Sequence, residues 1–502
     1  MHDFIVVGAG SSGCVIARRL IDAGKKVLLI ESGPLKKETA NIEKIEGFPN
    51  LWGSSYDWNY STIPQNGLSE RVININQGKV VGGSGSINAM MFVKGHKSNY
   101  EQLIENGGDF WNSKNLNNCL SKIENYIDGP SEGRYQSGMV QVRNCPDATS
   151  YSPEFQQSAK SLGYATDDWD YNGPVQSNGA GPLQFNIDEK GNRHSPFKAY
   201  LESILKNKNL EIISNTYVKR ILMHNKIANG VELIFKDDSI KKITCKNKII
   251  ICAGAIGSPI LLERSGIGDS KNLNKANIPQ KVDAPSVGEN LMDHLQLPVL
   301  FKLKKQLPNP KLLTGNVLFA DLNQNSPYGA PDLQLNFTPA APQPLQRLLP
   351  PLEFPVMIFL PILVQPLSVG SVHWDGEKPN LDPNYLNNEK DVEVFKKAIK
   401  LCNDMASAPG LNQLASDALL PPPEGYEDYI RGNATTIWHP VGTCRIGKEP
   451  SDSVVNSELE VHGVKNLHVV DSSVTPYVTS GNNHVLALVM GEMASEILLN
   501  SA

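Results

Sequence analysis

Ten histidines are spread along the 502 residues, at positions 2, 96, 194, 224, 294, 373, 439, 462, 468 and 484. No two stand four residues apart with an acidic neighbour, the pattern that places zinc ligands on one helix face, so a metal site is not expected. Two of the ten stand out by context. His439 lies in TTIWHPVGTCRIG (435–447), before a proline and a Gly-Thr turn, and so at the end of an element. The residues by themselves allow packing, metal ligation or proton transfer there. Gly442 and Thr443 read as the turn that aims the imidazole. His484 follows SGNN and precedes an apolar run at 485, 486, 488, 489 and 493, the spacing of a helix that begins there. The positive end of a helix dipole disfavours a protonated imidazole, so a neutral, hydrogen-bonding His484 is expected. Cys444, five residues after His439, reads as a small buried residue rather than a nucleophile. His294 reads as a loop anchor, and His462 and His468 as surface or turn residues.

Such side chains need elements to position them. Phe4–Val7 is apolar, GAGSSG (8–13) follows, then CVIARRLIDAG (14–24) has helical spacing with Gly24 as its stop, and KKVLLIESG ends a second strand at Glu31. In this strand–turn–helix–strand unit Gly8 permits the tight turn, Gly10 lets backbone approach a pyrophosphate, and Gly13 lets helix and strand pack closely. The helix N-terminus offers free N–H groups to phosphates. Glu31, 18 residues beyond Gly13, can accept hydrogen bonds from ribose hydroxyls. The unit predicts dinucleotide binding without choosing between NAD and FAD.

Further glycine-rich stretches follow. GKVVGGSGSINAMMF (78–92) is too rich in glycine for a regular element and suits backbone laid against a flat ligand. After the strand-like KNKIIICAGA comes GAIGSPILLERSGIG (254–268), which predicts a turn, a helix opened by Ser258 as N-cap with Pro259 in its first turn, and a stop at Gly266. Together these blocks resemble the two signatures of the glucose–methanol–choline (GMC) oxidoreductases, FAD enzymes that oxidise alcohols. DYNG (170–173), GNRHSPFKAYL (191–201), NLEIISNTYVKRI (209–221), VGENLMDH (287–294), HPVGTCRIG (439–447) and the stretch from GVKNLHVVDSS to NNHVLALVMGEMAS (463–495) extend the resemblance, in order, over nearly the whole chain.

The resemblance implies an α/β fold in which a Rossmann-like FAD-binding domain with a parallel sheet (1–150, 210–295 and 430–502) is interleaved with a substrate-binding domain on a large antiparallel sheet (151–209 and 296–429). Strands near 4–7, 27–30 and 248–252 suit the first, and alternating, proline-punctuated segments between about 296 and 430 suit the second. The flavin contacts it implies are Gly8, Gly10, Ser12, Gly13, Glu31, Gly82, Gly83, Asn88, Val218, Asp471, Asn482 and Val485. Ile87 stands where some members carry the histidine that bonds the flavin covalently, so non-covalent FAD is expected. The implied reaction moves a hydride from an alcohol to flavin N5, and the charge-poor stretch 305–350 points to an uncharged primary alcohol. The hydroxyl proton must leave as well, and a histidine, with an ordinary pKa near 6.5, suits that work. The resemblance gives this role to His439, with His484 orienting the alcohol oxygen. Plant hydroxynitrile lyases of the family are the alternative, using the same pair without redox chemistry. Electron acceptors in the family are O2 or a quinone.

Composition bounds the rest. The chain is 40% hydrophobic and 20% charged with a net charge of −5, which gives no reason to expect nucleic acid or an anionic membrane as partner. Seven scattered cysteines without a C-x-x-C pair fit a reducing compartment, and a cytoplasmic location is expected. The N-terminus has no basic and apolar leader pattern, and no apolar run reaches membrane-spanning length. FPVMIFLPILVQP (354–366) reads as a buried strand, and PAAPQPLQRLLPP (339–351) as a long loop. Specificity is expected from the antiparallel sheet and a charge-poor loop around 305–350.

Overall fold

A computed structural model describes residues 1–35, 40–176, 178–323, 329–345 and 353–500. The N-terminal unit folds as its pattern predicts. The strand His2–Val7 runs into the helix Ser11–Asp22, and Val27–Ile30 returns parallel to the first strand. The sheet grows on both sides of this pair. Leu210–Ile213 adds parallel to Val27–Ile30, and the end of Ile240–Ile251 adds parallel to His2–Val7, with Leu467–Val469 outside it. Val27–Ile30 and the stretches 4–7 and 249–251 are apolar and buried throughout, as expected where helices cover both faces of a parallel sheet. The helix Ser11–Asp22 packs against the last helix, His484–Asn500. Arg19 reaches across to buried Glu492 at 2.7 Å and closes that contact.

The start of Ile240–Ile251 leaves the parallel sheet and pairs antiparallel with Ile227–Ile234, which pairs with Tyr217–His224. His468 is buried in Leu467–Val469 rather than on the surface, and burial holds its ring well below the ordinary histidine range, at about 3. The helix after Ile251 spans Gly254–Arg264, so Ser258 and Pro259 lie inside it rather than at its start. The start shifts because Asp471 caps it: one oxygen accepts from Gly254 N at 2.9 Å and from Ser258 Oγ at 2.6 Å. Pro259 cannot donate to the Ala255 carbonyl one turn back. The Thr443 hydroxyl takes that acceptor instead, at 2.6 Å. Gly266 ends the helix region as predicted, at φ +87°.

The second sheet is antiparallel. Its main path runs Ala415–Leu420, Val299–Leu303, Val356–Leu363, Leu333–Thr338, Asn316–Ala320, Gly179–Pro182. Val356–Leu363 falls in the stretch read as a buried strand. The neighbour Val299–Leu303 alternates between buried and half-buried positions as expected, but Leu333–Thr338 and, beyond it, Asn316–Ala320 are buried at every position. Both faces are covered, one by the helices Pro153–Ser161 and Glu389–Ser407, the other by the functional site. Phe155, Phe337 and Phe359 make the aromatic centre of this core, with ring centroids 4.8–6.4 Å apart. The 305–350 stretch therefore contributes two strands as well as loop. Of the proline-rich 339–351, Gln343–Leu345 forms a single 3-10 turn, and 346–351 lies outside the described residues. Leu295–Gln296 pairs with both Val356–Leu363 and Thr435–Thr436, so the chain just before His439 is tied into the antiparallel sheet. No helix among the described residues is long and apolar enough to cross a membrane.

Candidate active site

Between the two sheets lies a cavity of about 710 Å³, within the range of small-molecule and cofactor sites. One wall is the carboxyl end of the parallel strands, at Val7, Ile30, Glu31 and Cys252, where open α/β sheets bind ligands. The opposite wall is the antiparallel sheet, at Gln296, Asn336, Leu360 and Ile362. The turn 83–91 and the segment 437–440 close the sides.

At the parallel wall, Gly10 caps the helix Ser11–Asp22 without any side-chain cap bond, so its first N–H groups face the cavity without that partner. Glu31 is buried and bent back on the turn: its carboxylate accepts from Ala9 N at 2.9 Å and Gly33 N at 2.8 Å. Burial raises its pKa to about 7 against those two bonds. Gly83 meets the dinucleotide turn so closely that a methyl group on it would stand 2.6 Å from Gly10 Cα, so the two glycine-rich segments form one surface. Of the twelve residues read as flavin contacts, Gly8, Gly10, Ser12, Glu31, Gly83, Asn88, Val218, Asp471 and Asn482 line the cavity. Gly13, Gly82 and Val485 do not. A methyl group on Gly13 would stand 2.0 Å from the Gly8 carbonyl oxygen, which is the close packing its spacing predicted. Val485 is fully buried among the core residues of the last helix. Asp471 reaches the cavity while capping the helix Gly254–Arg264.

At the other end the cavity meets His439. The chain reaches it through Trp438, held at φ +65°, a strained conformation for a bulky residue. The Trp438 N–H donates to Thr436 Oγ at 2.7 Å and fixes that bend. Asp293 fixes the next residue: one carboxylate oxygen accepts from His439 N at 2.7 Å and His294 N at 2.8 Å, and the other from the Tyr385 and Thr436 hydroxyls, each at 2.5 Å. Burial raises this carboxyl to about 6 in spite of the four bonds. The imidazole is thus aimed from before, by Trp438 and Asp293. Gly442 and Thr443, expected to aim it, instead bind the following segment to Asn290 and Ala255.

His439 Nδ1 lies 3.0 Å from His294 Nδ1. Only one of the two nitrogens can carry the hydrogen. Burial lowers His294 to about 3, and the Asn482 amide nitrogen, which can only donate, faces His439 Nε2, so the hydrogen of His439 sits on Nδ1. His439 then donates from Nδ1, and its Nε2 is left as an acceptor toward the cavity. Asn482 Nδ2 faces Nε2 at 3.3 Å. Burial, followed by the nearness of His294 and His484, holds His439 well below the ordinary histidine range, so it is neutral and able to take a proton. His484 is also neutral, lowered to about 4 by burial and then by Arg193. It lines the cavity, but its Nδ1 lies 3.2 Å from Ser11 Oγ in the dinucleotide turn. On the cavity side the partner of His439 is therefore Asn482, read from the sequence as a flavin contact, while His484 is bonded to the dinucleotide turn.

Models of the GMC oxidoreductase family match residues 2–296 and 366–491. The chain belongs to this family. Among curated relatives, this GMC oxidoreductase is 31% identical to alcohol dehydrogenase [acceptor] of Pseudomonas putida, covering 99% of this chain and 96% of that one. It is 30% identical to oxygen-dependent choline dehydrogenase of Photobacterium profundum, covering 100% and 93%. Among solved structures it superposes on pyridoxine 4-oxidase from Mesorbium loti with a TM-score of 0.89 at 29% identity, covering 99% of each chain. It is an FAD-dependent oxidoreductase, and the cavity suits that cofactor: an uncapped helix N-terminus for the pyrophosphate, Glu31 for a ribose, and paired glycine turns for a flat ring. Among the described residues no group of three or more His, Cys, Asp and Glu is placed to hold a metal ion.

Three site residues escape the sequence reading. It makes His294 a loop anchor and passes over Asp293, although both lie in VGENLMDH. Arg193 lies in GNRHSPFKAYL. Each motif is visible, but the contact that gives the residue its role spans 105 to 146 positions of sequence.

Proposed function

We propose that this enzyme oxidises an uncharged primary alcohol to the aldehyde with non-covalently bound FAD. The observation that carries the reading is the neutral His439, its Nδ1 tied to His294 and its Nε2 turned to the cavity beside Asn482. FAD supplies the two-electron acceptor that takes a hydride from the carbinol carbon. The protein does the rest. His439 Nε2 accepts the hydroxyl proton, His294 holds the tautomer that leaves Nε2 open, and the Asn482 amide donates to the alcohol oxygen. His484 holds the neighbouring helix end to the dinucleotide turn, where the N-terminus of the last helix favours negative charge. Residues 1–150, 210–295 and 430–502 form the flavin-binding part in this reading, and 151–209 and 296–429 the substrate part. Thr435–Thr436 and Leu295 pair into the antiparallel sheet instead, and Phe197–Leu201 packs with the helix Ser11–Asp22 in the core of the flavin-binding part.

The substrate class follows from the antiparallel wall. It offers the amides of Gln296 and Asn336 and the apolar side chains of Leu360 and Ile362, with Leu313, Ile437 and Asn482 on the neighbouring walls, while the acidic residues of the cavity, Glu31, Asp471 and Glu377, belong to the parallel sheet side and the hairpin around 377. A quaternary ammonium needs a carboxylate or an aromatic cage. The antiparallel wall supplies neither, and this favours a neutral alcohol; Trp52 and Trp438, with ring centroids 4.5 Å apart, also line the cavity beside His439 and make choline the competitor to test. Non-covalent attachment is supported by Ile87, a side chain on the cavity wall with no atom able to bond the flavin.

Anaerobic addition of a panel of neutral primary alcohols should bleach the flavin band near 450 nm, and air should restore it if O2 is the acceptor. Choline should bleach it poorly. A flavin that stays oxidised with every alcohol, while a cyanohydrin is cleaved, would support the lyase alternative. Acid precipitation should leave the yellow colour in the supernatant.

A further inference from the structure

Arg193 is the largest charged side chain among the fully buried residues, with 1% of its surface exposed. Its Nε donates to the Ile42 carbonyl at 2.7 Å and its Nη1 to Asn88 Oδ1 at 2.6 Å, while Nη2 is buried without a partner. No carboxylate pairs with it among the described residues. A buried charge without a counter-charge is costly, and proteins retain one where something else supplies the opposite sign. The guanidinium stands directly behind the cavity wall. Asn88, which it grips, lines the cavity, and so does His484, which feels its charge. His484 is in turn near enough to His439 to depress it. Asn482, two residues before His484, faces His439 at 3.3 Å, and His484 itself meets Ser11, so the charge stands between the dinucleotide turn and the His439 end of the cavity. Burial lowers the guanidinium only to about 9, so it remains a cation at neutral pH.

We infer that Arg193 is an electrostatic positioning residue, held against Asn88 so that its unpaired charge is balanced by the negative charge the flavin gains on reduction. Two electrons and one proton's worth of hydrogen arrive as a hydride, the hydroxyl proton leaves on His439, and the cofactor ends with one more negative charge than it began with. A fixed cation beside the cavity favours the reduced form and raises the potential. This inference rests on the flavin and on no particular substrate, so its failure would leave the alcohol reading untouched.

The test is the two-electron midpoint potential of the holoenzyme, measured against a reference dye. Arg193→Met should lower it by the equivalent of at least tenfold in the equilibrium, about 30 mV, and Arg193→Lys by less than half as much. Asn88→Asp, matched in shape, neutralises the guanidinium in place. It should lower the potential as Arg193→Met does, and it provides the reading should the methionine variant fail to fold. Retention of FAD through ultrafiltration is followed in parallel. Unchanged potentials in the folded variants would overturn the inference. Loss of FAD at unchanged potential would also overturn it, by assigning the charge to the phosphates. An equal fall in the methionine and lysine variants would show that packing, not charge, is at work.

Discussion

At His439 the deciding property is neutrality. A buried imidazole flanked by two further histidines loses most of its tendency to be protonated, and the one proton it keeps is fixed on Nδ1 by His294. That leaves Nε2 ready to accept. His439→Ala should slow flavin reduction by roughly 10²–10⁴-fold, the range for a positioned base, as measured by anaerobic stopped-flow absorbance. His294→Gln keeps an acceptor for the His439 Nδ1–H and should retain more of the rate than His294→Leu. Equal losses in the two would mean that His294 acts only by filling space.

The short hairpin Ser371–Trp374 and Pro379–Asp382 borders the cavity through Trp374, Lys378 and Pro379. It is fastened at His373, whose Nδ1 lies 2.8 Å from Glu263 of the helix Gly254–Arg264 and whose Nε2 lies 3.1 Å from Glu289. Trp374 N donates to the other Glu263 oxygen at 2.6 Å, and Asn272 Nδ2 stands beside the ring. Burial pulls His373 down, but the two carboxylates outweigh it and hold its pKa at about 9. The folded value lies above the ordinary 6.5, so the stabilisation is complete below about 6.5 and is lost as pH rises through about 9. Proteolysis of the hairpin and loss of FAD should therefore both increase between about pH 8 and 10. In His373→Gln the rise should be absent and the basal susceptibility higher. Susceptibility that is flat with pH in the unaltered enzyme would refute the clasp.

For the whole molecule, the cavity lies between the two sheets and is walled by both, so a cofactor held there would touch both cores. Bound FAD stabilises the folded state by mass action, by about 2.7 kcal/mol at a hundredfold excess over its dissociation constant. Thermal unfolding should shift upward with added FAD, and the shift should involve both sheets together. Two transitions, with only one of them responding to FAD, would mean that the antiparallel half gains nothing from the cofactor.

Much of this was readable along the chain. The strand, glycine turn, helix and strand of residues 2–31 are local: apolar runs, helical spacing and Gly24 are set by neighbours in sequence, and the elements form where the pattern puts them. The glycine blocks could likewise be found from residue type and order, while the two candidate histidines come from the resemblance to the family, since their own neighbours leave packing as open as chemistry. Tertiary structure decided what depends on contacts across long loops. Asp471 moved a helix start from Ser258 to Gly254, because a cap can come from 217 residues away as readily as from the adjacent one. The strands Asn316–Ala320 and Leu333–Thr338 lost their alternation because both faces are covered, which a strand's own sequence does not record. On the cavity side the partner of His439 is Asn482, and its tautomer is set by His294, since hydrogen bonds are fixed by distance in space. The sequence determined which side chains could do the chemistry, and the packing of two sheets about one cavity decided which of them meet.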